Sequence, residues 1–496
     1  MLVQRSVTDY RPLLAEFEKG NPVTVRFSYP SKDTLLAINS FMAQLLSSRD
    51  RIFLLESVIT ILRECVFNAI KANAKRIYFE STGIDISDHE EYQKMMAEFK
   101  SRVIINLSEM EPSMEASRYT AEFTVQKTPG DDLSMSVQNN VPLLPEEKAR
   151  IEQRITAAYR YQDFNEVYEE MYDETEGAGL GIILTIMILK NSGIPANLFK
   201  ITSDGKVTRS ELTIPGQLRP QEVHTKIKDQ IIKQISMLPT FPGTTLELIH
   251  MCEDPGANMT NIAQKINTDP SLAADILKLA NSAGFISSRK IESITDALIR
   301  IGLKNLKFML IAASSRTILE KRFKKFESIW SHCIKTAYYA RILSTELGFK
   351  QYAEQAFIGG LLHDMGKIVL LSVDLDMTNR IAEIVEQHRI RSTTVIEEIS
   401  IGISHSTIGK LIAEKWNFAE FIVQSIEFHH TPLRATGEFK SIVGVVYLAN
   451  LFCGIETKRY EYPYADALIL DSIGIKDEAA LIALHQKLTS QFKFTE

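Results

Sequence analysis

The stretch Gly359-Gly360-Leu361-Leu362-His363-Asp364-Met365-Gly366-Lys367 constrains this chain more than any other. An adjacent His-Asp pair at the end of an apolar helical run can offer one nitrogen and one oxygen to the same divalent ion. Further histidines stand at helix-sized distances on both sides, His332 upstream and His405, His429 and His430 downstream. Five of the ten histidines are therefore candidate ligands crowded into residues 332–430. A lone His-Asp pair on a helix is usually a core imidazole held by a carboxylate. The crowding sets a metal site against that reading on equal terms.

The bulk numbers exclude several classes. A length of 496 residues predicts two or three domains. Hydrophobic content of 45% and charged content of 24% are those of a globular protein in water. A net charge of −6 gives no direct signal for nucleic acid or an anionic membrane surface. The four cysteines, Cys65, Cys252, Cys333 and Cys453, lie far apart with no C-x-x-C, which fits a reducing cytoplasm. The apolar run Leu180–Leu189 is too short to span a bilayer, and the first residues lack the layout of a signal peptide.

Taken in order, the N-terminal half mixes strands and helices. Val23–Phe27 reads as a strand and Leu35–Leu46 as a helix, followed by a long helix over 52–74 with apolar residues at steps of three and four. Strands are predicted at Arg76–Glu80, Val103–Leu107, Tyr119–Val125 and Leu133–Val137, and a hairpin at 199–215 around Asp204-Gly205. On the long helix Glu64, Asn68 and Lys71 share one face. A carboxylate with an amide suits Mg²⁺, although three polar residues on an exposed face are the commoner outcome. Gly177, Gly179 and Gly181 open an apolar helix, where alternate glycines let backbone N–H groups approach a phosphate or simply make a close packing turn.

This order of pieces, over residues 35–217, resembles the ATP-binding fold shared by histidine kinases, gyrase, the related chaperones and MutL. The resemblance implies an α+β domain with helices on one face of a mixed, mostly antiparallel sheet of the Bergerat kind. It also implies Glu64 as a base-like carboxylate, Asn68 as a Mg²⁺ ligand, and Gly177, Gly179 and Gly181 against the phosphates of ATP. The family's adenine-reading Asp and its glycines are missing. Asn139 stands at that position, so the resemblance points to a degenerate nucleotide site.

From Leu238-Pro239 onward the periodicity is helical, with Asp269-Pro270 as a helix start. Ile266–Leu272, Leu279–Ala283, Leu361–Lys367, Gly402–His405 and His429-His430-Thr431-Pro432 together resemble HDOD, the HD-related output domain of bacterial signalling proteins. That family is an all-α relative of the HD phosphohydrolases. The resemblance implies a metal set of His332, His363, Asp364, His405, His429 and His430, with Fe, Mn or Zn as the ion. The last ligand position holds Asn450 in place of Asp, and Lys367 matches a phosphate-side lysine, catalytic only if the domain is an enzyme. The expected organisation is an ATPase-like domain at 1–217, a linker and helix at 218–237, an HDOD domain at 238–435 and a helical extension at 436–496. The expected function is cytoplasmic signal transduction through a protein partner, with nucleotide as a second candidate partner. Metal-dependent phosphohydrolase or phosphodiesterase activity is the alternative.

Overall fold

Alternating apolar residues in the N-terminal half build a six-stranded sheet in the order β1-β2-β3-β4-β6-β5. The computed structural model describes residues 2–4, 9–84, 95–96, 99, 107–160, 180–218, 226–281, 291–323, 326–373, 393–460, 462 and 465–492. The strands are β1 (Leu2–Gln4), β2 (Val23–Phe27), β3 (Ala121–Lys127), β4 (Leu133–Asn139), β5 (Phe199–Ser203) and β6 (Thr208–Ile214). β1 and β2 run parallel, and every other pair is antiparallel. Register places Val25 opposite Phe123 and Phe123 opposite Val137, so one face is continuously apolar and buried. The β5–β6 turn works as its sequence suggests: Asp204 Oδ1 accepts from the N–H groups of Lys206 and Val207, and Gly205 takes φ 86°.

The helices of this half are α1 (Arg11–Glu18), α2 (Lys32–Ser47), α3 (Leu55–Thr82), α4 (Glu111–Glu115), α5 (Pro145–Arg160) and α6 (Leu180–Asn191). α3 packs on β3, β4 and α6. The predicted strand at Arg76–Glu80 is instead the last part of α3, which ends at Gly83 with φ 71°. Its aromatic and β-branched residues suggest a strand, but helical spacing brings Lys75, Arg76 and Phe79 to one buried face. There Glu147 of α5 pairs with both Lys75 and Arg76, and Arg76 also donates to the Pro142 carbonyl. Of the strand expected at Val103–Leu107, residues 103–106 lie outside the described residues, and Leu107 opens a short 3₁₀ turn.

The chain divides into two units. The first lies within Met1–Val223, and the second comprises His224–Glu386 and Ser392–Glu496. All described regular structure in the second unit is helical. It begins with α7 (Lys226–Ser236), α8 (Gly243–Glu253), α9 (Met259–Asn267), α10 (Pro270–Asn281), α11 (Ile294–Ile301) and α12 (Leu303–Arg322). Asp269 caps α10 by accepting from the Ser271 and Leu272 N–H groups. The helices that form the site follow: α13 (Phe326–Glu346), α14 (Ala353–Leu362), α15 (Met365–Val373), α16 (Thr393–Ile401), α17 (His405–Lys415), α18 (Glu420–Phe428) and α19 (Lys440–Glu456). α20 (Ala467–Ser472) and α21 (Glu478–Gln491) complete it.

Glycines set how closely these helices approach. A Cβ on Gly360 would lie 2.8 Å from Ala337 Cα, so α14 crosses α13 at backbone contact. A Cβ on Gly366 would collide with the His405 carbonyl and the Gly409 backbone, which brings α15 onto the first turn of α17. At the far end of α17, Trp416 Nε1 donates to the Pro239 carbonyl and Lys415 Nζ to that of Ser236. The C-terminal helix is fixed to α19 through His485, which stacks on Phe452 at 4.4 Å and contacts Glu456 Oε1 at 3.2 Å. Among the described residues one stretch, Lys350–Val373, has the length and hydropathy to cross a membrane, and 78% of its most apolar window is buried within the protein.

Candidate metal centre

His363 and His429 occupy equivalent positions, each capping the C-terminus of a helix, α14 and α18 respectively. A helix end leaves its last carbonyls without partners. Each ring fills that need three residues back: His363 Nδ1 donates to Gly360 O at 2.7 Å and His429 Nδ1 to Ile426 O at 2.8 Å. With the proton held on Nδ1, each ring turns an unprotonated Nε2 away from its helix. His405 reaches the same state differently. It opens α17, and its Nδ1 donates to the Glu397 carboxylate at 2.7 and 2.9 Å. The His405 backbone N–H donates to the same carboxylate at 2.8 Å.

Asp364 receives these groups. Its Oδ1 lies 3.3 Å from His405 Nε2 and 3.5 Å from His429 Nε2. Its Oδ2 lies 3.4 Å from Lys367 Nζ, 3.6 Å from His363 Nε2 and 3.7 Å from His332 Nε2. His332 comes from α13 and meets Asn450 Oδ1 of α19 at 3.1 Å. His430 Nε2 lies 3.1 Å from His405 Nε2. All seven expected ligand positions therefore converge on one spot, with Lys367 beside them. They form two ligand groups that share Asp364: one with His405, His429 and His430, the other with His332 and His363.

The electrostatics favour neutral rings at His332, His363, His429 and His430 and a charged Asp364. Burial pushes the pKa of His363 and His430 well down, lowers that of His429, and brings His332 to about 4. Burial alone would raise Asp364, but the Lys367 ammonium above all holds it well below the usual carboxylate range. Glu397 is likewise kept low against its burial by His405.

These residues fit a divalent cation. His363 Nε2 and Asp364 Oδ1 are buried with no hydrogen-bond partner. His405 and His429 also place two Nε2 atoms 3.2 Å apart, and in neutral rings the donations from Nδ1 leave both Nε2 atoms unprotonated. Two lone pairs facing each other are repulsive, and a cation between them makes the contact favourable. Imidazole nitrogens with one shared carboxylate suit Zn, Fe or Mn better than Mg or Ca.

Glu397 belongs to this centre, and no motif in the sequence points to it. Its only trace there is a carboxylate inside the apolar run Thr394–Ile401, eight residues before His405.

The residues expected around ATP are distributed differently. Glu64 is buried on α3, with its carboxylate against Gly181 in the first turn of α6. Asn68 is exposed, and Lys71 lies half-buried with Nζ 4.0 Å over the Phe67 ring. Gly177 and Gly179 lie outside the described residues. Asn139, buried at the end of β4, donates from Nδ2 to Asn73 Oδ1 at 3.0 Å. Asn73 is nine residues beyond Glu64 on α3, roughly 13 Å away along the helix axis.

The fold and the centre define a helical domain built around a histidine and aspartate cluster. Within it, residues 238–432 match the family model of the HDOD domain, and this part of the chain is an HDOD domain. An uncharacterized protein of Treponema pallidum (strain Nichols) is 28% identical over 432 residues, covering 87% of this chain and 84% of its own. A provisionally named phosphohydrolase from Shewanella amazonensis SB2B is 24% identical, with a TM-score of 0.42 over 54% of this chain and 94% of its own. An HDOD domain protein with unknown function from Geobacter sulfurreducens is 23% identical, with a TM-score of 0.41 over 54% and 98% respectively.

Proposed function

We propose that this chain is a cytoplasmic bacterial signal-transduction protein whose HDOD domain carries a resident divalent metal and passes its state to a protein partner. The observation that carries the metal reading is the His405–His429 contact, where two Nε2 atoms meet 3.2 Å apart beside Asp364 while each ring donates from Nδ1. The regulatory reading is supported by the closure of the centre. His363, His405 and His429 have no exposed surface and Asp364 has 2%, whereas a catalytic metal keeps an open position for water or substrate. The N-terminal unit is the sensory half in this reading, a relative of the Bergerat ATP-binding fold. Its described residues do not fit adenine recognition, because Asn139 carries no charge and spends its amide on Asn73.

The test is metal content per chain on protein purified without chelators, beside Asp364→Ala checked for folding by circular dichroism. Bound Zn, Fe or Mn that disappears in the variant is the expected result. Metal-free wild-type protein under excess Zn²⁺ or Mn²⁺ would sink the reading.

A second reading, a metal-dependent phosphohydrolase or phosphodiesterase, rests on Lys367. Its side chain and that of His332 are each 22% exposed beside Asp364 Oδ2, an arrangement that could meet a phosphate from outside. Phosphoester turnover that is lost in Asp364→Ala would favour this reading over the first.

A further inference from the structure

The two oxygens of Asp364 face different surroundings. The Oδ1 side holds His405, His429 and His430, with the Nε2 atoms of His405 and His429 3.2 Å apart and a carboxylate oxygen without a hydrogen-bond partner. No lysine or arginine among the described residues pairs directly with Oδ1. The Oδ2 side already has one: Lys367 Nζ lies 3.4 Å away, closer than either histidine on that side.

The Oδ2 side is also short of a ligand. The nitrogen His332 would give to a metal, Nε2, lies 3.1 Å from Asn450 Oδ1. If Nε2 carries the proton it donates to that oxygen. If the amide is turned over, its NH₂ donates to Nε2 instead. Either arrangement uses the lone pair that an ion would need. Asn450 adds no charge, so a second ion would have the buried, unpartnered His363 Nε2 as its single free imidazole, beside a carboxylate already engaged by an ammonium.

Charge points the same way. The carboxylates in contact with the centre's imidazoles are Asp364 and Glu397, Lys367 is the adjacent cation, and burial pushes the neighbouring Glu398 up to about 7. One divalent ion leaves a single net positive charge in this interior. A second ion would leave three from these groups, a larger desolvation cost than the single ion carries.

Building on the metal reading above, we infer that this centre holds one ion, on the Oδ1 side of Asp364, and that Lys367 together with the His332–Asn450 pair takes the place of a second. Asn450 is then the residue that sets the metal stoichiometry. His363 is the spare ligand that a second ion would recruit if residue 450 were charged.

The experiment is Zn²⁺ stoichiometry on metal-stripped full-length protein, by isothermal titration with elemental analysis after desalting. Wild type is expected to retain one Zn²⁺ per chain and Asn450→Asp two. Two ions in wild type, or an unchanged single ion in a folded Asn450→Asp, would overturn the inference and leave the metal reading standing. No ion in wild type would remove the metal reading and the inference with it. Should Asn450→Asp fail to fold, the electron paramagnetic resonance of Mn²⁺-saturated wild type decides. An isolated Mn²⁺ spectrum is expected, and an exchange-coupled pair would refute a single ion.

Discussion

Removing the Glu397 carboxylate should weaken metal binding without touching any group that reaches the ion. Glu397 accepts the Nδ1 proton of His405 at 2.7 Å and its backbone N–H at 2.8 Å, both inside the protein. In Glu397→Ala the buried Nδ1–H has no acceptor, and leaving such a donor unpaired costs about 1–3 kcal/mol. The ring can avoid that cost by moving its proton to Nε2. That nitrogen is 3.3 Å from Asp364 Oδ1, so the proton finds an acceptor where the metal would otherwise be. The metal must then displace a proton already held by a carboxylate. Losses of this kind amount to about 10–100-fold in affinity, or about 1.4–2.7 kcal/mol. Glu397→Gln keeps one neutral acceptor and should fall near the lower limit, with Glu397→Ala near the upper. Competition for Zn²⁺ against a chromophoric chelator at fixed pH measures both, with circular dichroism on the same samples. Affinities within twofold of wild type in both folded variants would refute the idea that Glu397 sets the His405 tautomer.

Three other outcomes are expected. Metal-stripped protein should lose stability as pH falls from 6.5 toward about 4, because His332 has its folded-state pKa lowered over that interval and the unfolded chain takes up the proton first. His363 and His430 are shifted in the same direction and add to the loss, so a melting temperature that rises on acidification would contradict the assignment. Gly366→Ala should destabilise by about 1–3 kcal/mol or more, since its methyl group meets the His405 carbonyl and the Gly409 backbone, neither of which can rotate away. Urea unfolding followed by tryptophan fluorescence tests it through Trp330 and Trp416, both in the second unit. Asn139→Leu should leave Asn73 buried without its partner at a cost of about 1–3 kcal/mol, visible as faster amide exchange in β4 and α3; unchanged exchange would show that the pair is dispensable.

Local chemistry determined most of what could be read in advance. The 199–215 hairpin depends on Asp204 and Gly205, and the start of α10 on Asp269 and Pro270, so neighbouring residues suffice to announce them. Arg76–Glu80 misleads for the opposite reason. Its composition suits a strand, and what keeps it helical is a pair of cations meeting Glu147 some seventy positions away. Glu397 was hidden in the same manner. A carboxylate in an apolar helix gains meaning only when the chain returns eight residues later and places an imidazole on it.

The ligand set shows where such reading stops. The spacing of His332, His363, Asp364, His405, His429 and His430 suggests that a centre exists, and the structure brings these residues together. Spacing does not say which nitrogen of each ring faces inward. That choice falls to two helix-end carbonyls, Gly360 and Ile426, and one carboxylate, Glu397, none of which belongs to the ligand pattern. Nor does it say that the oxygens of Asp364 differ. In the sequence Asn450 reads only as a weakened ligand, one charge short. In the structure its amide faces His332 across 3.1 Å, on the side of Asp364 already held by Lys367. A substitution that would merely weaken a symmetric two-ion site therefore has a sharper consequence here. It closes one half of the centre and leaves the other ready for a single cation.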